Sequence, residues 1–102
     1  MMSLRMPRAY AHKTTNSIET ALNVEVLEEK AASLGRAGRR VEETLAALRN
    51  GHEADRENAR RAAAEAVYAY LIQRELCGLR DREAVIRTYN VPADVIAILG
   101  AT

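Results

Sequence analysis

One spacing constrains this chain more than anything else in it. From Val24 the apolar and small residues run Val24, Leu27, Ala31, Leu34, Gly38, Val41, Leu45 and Leu48. The steps alternate between three and four throughout, which is the period of an α-helix with one packed seam. The pattern passes unbroken through LGRAGRR, residues 34–40. Two glycines among arginines there raise two options: a loop that cradles phosphate, or a notch at which a second helix comes close. A phosphate loop needs a strand before it and a helix N-terminus after it, and neither is present. A loop would also have no reason to keep the helical phase. The reading is therefore one long helix over residues 16–50, with Gly35 and Gly38 as a notch. Each interior glycine costs that helix about 1 kcal/mol.

The boundaries follow from local chemistry. Asn16 with Glu19 reads as an N-cap and its reciprocal glutamate. Residues 1–15 before it, with Arg5, Arg8 and Lys13 and no acid, read as a basic tail. Asn50 and Gly51 end the helix, at a position suited to a left-handed C-cap. A second helix is expected over residues 53–77, closed by Gly78. Its middle, AAAEAVYAYLI, is apolar nearly all round, which predicts burial on several sides. Residues 81–100 then give two short helices: one capped by Asp81, a turn at Asn90 and Pro92, and one after it.

Two long helices joined by a short turn lie antiparallel. Pairing residues symmetrically about position 52 sets Arg40 against Glu65, Glu42 and Glu43 against Arg61 and Arg60, and Arg49 against Asp55. Glu28 and Glu29 fall against Arg74, and Lys30 against Glu75. The same register sets Gly35 and Gly38 against Ala66 and Ala69, in a seam formed by Ala59, Ala62, Ala66, Ala69, Gln73 and Leu76. Small residues on both sides predict close backbone approach, with Tyr68 or Tyr70 over the notch.

The fold class is thus all-α: one domain built as a long antiparallel helical hairpin plus a short C-terminal pair resembling a helix-turn-helix. Composition agrees. The 102 residues include four tyrosines but no Phe or Trp, and Ala, Leu, Glu and Arg favour helix over sheet. The single cysteine, Cys77, precludes an internal disulfide and suits a reducing cytoplasm. No apolar run approaches the roughly 20 residues that span a bilayer, and the basic start lacks the apolar core of a signal peptide.

Chemistry finds little to stand on. His12 and His52 have no cysteine or carboxylate at ligand spacing, so no metal is expected. Cys77 sits at a helix C-terminus, where the dipole disfavours a thiolate. Adjacent glutamates diverge by about 100° on a helix and cannot share a substrate. No catalytic residue, cofactor or enzyme activity is expected. The helix-turn-helix resemblance also stops short of base readout, because its would-be reading helix offers Ala93, Asp94, Ala97 and Ile98 with no Arg, Lys, Asn or Gln. It reads as a helical corner packed on the hairpin or on a second chain.

The stretches EEKAASLGRAGRRVEETL and QRELCGLRDREAVIRTYNVP resemble a small family of uncharacterised bacterial all-helical proteins, over about residues 24–100. The resemblance implies a bacterial cytosolic setting and carries no activity or site residues. On the residues alone, the hairpin exposes more apolar surface than it can cover, which predicts an isologous homodimer forming a helical bundle. Val67, Tyr68, Leu71, Ile72, Val95 and Ile98 are the candidate dimer surface. The leading function is a non-catalytic homodimeric module, a regulator or adaptor that binds another protein. The alternative is phosphate contact to nucleic acid through Arg36, Arg39 and Arg40 together with the basic tail.

Overall fold

The computed structural model describes the backbone of residues 2–101 and the side chains of residues 17–101. The described chain is helical without strands: α1 Met2–Asn50, a 3-10 turn at Glu53–Asp55, α2 Arg56–Leu76, α3 Arg82–Tyr89 and α4 Ala93–Ile96. It divides into two compact units, residues 1–31 and residues 32–102.

The first unit consists of α1 alone. Its backbone is already helical ahead of Asn16, so Asn16 and Glu19 do not mark a helix start and residues 2–15 continue the same rod. Leu4, Ala9, Ala11 and Lys13 are good helix formers, and an interior asparagine costs only a few tenths of a kcal/mol, too little to end a helix already under way. The side chains of Arg5, Arg8, His12 and Lys13 lie outside the described residues. From Ser17 to Ala31 every residue is exposed, including Ile18, Leu22, Val24, Val26 and Leu27.

The second unit holds the core. The last turns of α1 contribute Val41, Leu45 and Leu48, α2 contributes Ala63, Ala66, Val67, Tyr70 and Leu71, and the C-terminal corner adds Val85, Val91 and Val95. Val41, Val67 and Val95 are completely buried. The three-and-four spacing of α1 is thus a packing seam from Leu34 onward, and the helix does not break at the glycines. Burying a Val or Leu side chain contributes about 1.5–3 kcal/mol, so this seam outweighs the glycine penalty.

Gly51 ends α1, but not by a left-handed turn: among the described residues those with positive φ are Gly78, Asn90 and Gly100. A Cβ at Gly51 would lie 2.6 Å from the Ala47 carbonyl oxygen, so the chain turns where only glycine fits. The α2 terminus matches expectation more closely. Gly78, at φ 82°, donates its amide to the Glu75 carbonyl, and the Leu79 amide returns to Arg74. Both bonds satisfy carbonyls that a helix end otherwise leaves without partners. Asp81 Oδ1 accepts from the Ala84 amide at 3.0 Å and caps α3. Asn90, left-handed at φ 51°, turns the chain into α4.

The buried face of α2 is not the expected alanine seam. Ala66 is buried as expected, but Ala69 and Leu76 are exposed, and the stripe through Ala63, Val67, Tyr70 and Leu71 is buried beside it. Larger side chains remove more apolar area from water than alanines do, so they take the core position. For the same reason Val67, Leu71 and Val95 belong to the interior of this chain and cannot form a dimer surface. Of the expected set only Tyr68 and Ile72 stay exposed, while Ile98 is half-buried.

Candidate functional site: an alanine-floored groove with a basic rim

Turning the larger side chains of α2 into the core leaves its small ones along an open groove. Within the second unit, Ser33, Arg36, Ala37 and Arg40 of α1 face Ala62, Glu65, Ala66 and Ala69 of α2 across a space of about 430 Å³. Arg40 and Glu65, set against each other in the expected register, both line this space. The consequence differs. Ala66 and Ala69 do not close against a glycine notch; their small size leaves room between the helices.

Gly35 and Gly38 have separate roles. Gly35 is exposed and meets only the tip of Arg39. Gly38 is buried, and the space where its Cβ would stand is bounded by Tyr89 and Tyr70. Those two rings meet edge to face with centroids 5.5 Å apart, a favoured aromatic geometry. The Arg74 guanidinium lies over the Tyr70 ring, 5.7 Å from its centroid. Hydrogen bonding with Tyr70, then burial, pushes the Tyr89 hydroxyl up to about 12. A phenol that keeps its proton well above neutral pH does not serve as a base there.

Several charges expected to pair across the hairpin pair elsewhere. Arg60 and Arg61 both reach Glu57 on their own helix, at 2.9 and 3.2 Å, and the Arg60 bond holds the Glu57 carboxyl below its usual value. Helical neighbours three and four apart already stand close, so the local partner wins over one across a gap. Among the described residues Arg49 reaches neither Asp55 nor any other carboxylate; its Nη2 donates to the carbonyls of Tyr89 and Asn90 at 3.0 and 2.9 Å. That contact ties the last turn of α1 to the end of α3.

The C-terminal corner is anchored on α2. Arg56 pairs with Asp94 at 2.8 Å, Arg60 Nη1 donates to the Asp94 carbonyl, and Val95 is completely buried. Asp94, the acid of the would-be reading helix, is therefore a bracket holding α4. Sequence reasoning missed these brackets because a salt bridge thirty-eight residues apart leaves no periodic trace.

Among the described residues no group of three or more His, Cys, Asp or Glu side chains is arranged to hold a metal ion. Cys77 is half-buried at the C-cap of α2, and His52 lies exposed in the interhelical turn. No helix among the described residues is long and apolar enough to cross a membrane. Arg36, Arg39 and Arg40 are all exposed, and two of them form the α1 rim of the groove. No match to this chain was found among curated proteins or among solved structures. A family model does match it, along almost its entire length: the chain belongs to the family of unknown function DUF6665, over residues 2–102.

Proposed function

We propose that this protein is a non-catalytic, homodimeric helical module that acts by binding another protein, as a regulator or adaptor. The observation that supports this most is the cluster of exposed aliphatic side chains on α1. Ile18, Leu22, Val24, Val26 and Leu27 stand in ten consecutive residues, and Leu27 is 64% exposed. Scattered exposed apolar residues are ordinary, but Ile18, Leu22 and Val26 stand four apart on one helical face, and an apolar stripe of this kind supports an interaction surface. A second set, Tyr68, Ile72, Leu76 and Leu79, extends along α2 and just beyond it. Light scattering of the full chain at micromolar concentration tests the dimer, and a stable monomer refutes it.

A second reading draws on the exposed arginines. Arg36, Arg39 and Arg40 lie within two turns of α1 and offer phosphate contacts without base readout. Retention on duplex DNA at low salt, lost steeply as salt rises, supports this reading. No retention at low salt removes it.

A further inference from the structure

We infer that the groove between α1 and α2 is filled by α1 of a second copy, in a reciprocal exchange across a two-fold axis. The inference rests on the homodimeric reading above and names its surface.

Three observations converge. The groove is floored by Ala37, Ala62, Ala66 and Ala69, so it lacks the bulky side chains that would fill it. Ile18, Leu22 and Val26, spaced four apart in the first unit, form one exposed apolar stripe with bulk to offer. The charges of α1 are also segregated: residues 17–29 hold Glu19, Glu25, Glu28 and Glu29 with no base, whereas residues 30–40 hold Lys30, Arg36, Arg39 and Arg40 with no acid.

An acidic block followed by a basic block on one helix is complementary to itself only when the copies run antiparallel. A parallel pair in register sets acid against acid and base against base, which is repulsive. An antiparallel pair with residues 18–29 of one copy along residues 30–41 of the other sets Glu29 opposite Lys30 and Glu19 opposite Arg40. The same register sets Leu22 opposite Ala37 and Val26 opposite Ser33, both on the groove wall. This register satisfies charge at both ends of the overlap and places two bulky side chains on the groove wall. Because the two-fold repeats every contact, each copy fills the other's groove and no apolar end is left over.

The test uses the full chain with Cys77→Ser as background. Leu22→Cys combined with Ala37→Cys is expected to give a covalent dimer under mild oxidation, and either change alone is not. In the otherwise native chain Arg40→Glu, at an exposed position, is expected to raise the dimer Kd about tenfold, and adding Glu19→Arg is expected to restore it. Circular dichroism checks that the helices persist. A dimer that ignores both charge reversals and forms no cross-link overturns this surface but leaves the homodimeric reading standing. A monomer at tens of micromolar by sedimentation equilibrium overturns both.

Discussion

A Cβ built on Gly38 would stand 3.1 Å from the Tyr89 hydroxyl oxygen and 3.4 Å from Tyr70 Cε1, whereas one on Gly35 meets nothing closer than the tip of Arg39 at 3.6 Å. Two glycines three residues apart on one helix are therefore there for different reasons. Gly38 makes room for a tyrosine pair. Gly35 lies in the open and costs helix propensity.

The first prediction follows. Gly35→Ala is expected to stabilise the protein by about 1 kcal/mol, the propensity gain at an exposed helix interior. In a domain of this size that raises Tm by about 4–8 °C. Gly38→Ala makes the same gain and loses it to crowding by two packed rings, so no comparable rise is expected. Gly38→Leu overpacks the site and is expected to cost about 1–3 kcal/mol. Thermal melts of the three variants check the ordering; an equal rise for Gly35→Ala and Gly38→Ala contradicts the tyrosine-filled notch.

A second prediction separates core from surface on α2. Leu71 is buried and Ile72, its neighbour in sequence, is 41% exposed. Leu71→Ala is expected to cost about 2–5 kcal/mol through lost burial and a residual cavity. Ile72→Ala is expected to cost under about 1 kcal/mol. Urea denaturation midpoints distinguish them, and similar losses for both would mean that the buried face of α2 is placed wrongly.

These adjacent residues also show what sequence reasoning reached. Asp81 as a cap, Gly78 as a terminator and Asn90 as a turn are local decisions, settled within four or five residues by backbone geometry. The α1 seam was legible because its period was long and regular. The face of α2 was not, since AAAEAVYAYLI is apolar in nearly every direction and its own pattern cannot say which side meets α1. Contacts such as that of Tyr70 with Tyr89, nineteen residues apart, exist only in the folded chain. The groove is illegible for the same reason: in sequence an alanine exposed at a groove, such as Ala69, reads like one buried in a core, such as Ala63.

Gly78 supplies a third prediction. It adopts φ 82°, yet a Cβ there would meet no atom within 4 Å, so replacement meets backbone strain without a clash. Gly78→Ala is expected to cost about 1–2 kcal/mol, the left-handed penalty for an L-residue. Gly78→Asn is expected to recover part of it, because asparagine tolerates that region. Equilibrium unfolding of the pair reports the difference; equal stability of Gly78→Ala and the native chain would show that the turn adopts another conformation.

Tyr89 makes stability depend on alkaline pH, and the sign follows from its proton. Its hydroxyl is pushed from 10.0 up to about 12 by hydrogen bonding with Tyr70, by burial and by the nearby Glu42, with Arg74 opposing. An unfolded chain releases this proton near pH 10, while the folded chain holds it until about pH 12. Across that window the unfolded state binds fewer protons, so stability falls as pH rises. Below pH 10 both states keep the proton and the contribution is fully present. Tyr89→Phe removes the titrating group, keeping the ring against Tyr70 but losing the hydroxyl. The variant is expected to be less stable than the native chain at pH 8 and to lose less of its remaining stability between pH 10 and 12. Denaturation midpoints at pH 8, 10 and 11.5 check this. Parallel pH profiles for the two proteins would show that the Tyr89 hydroxyl is not held by its neighbours.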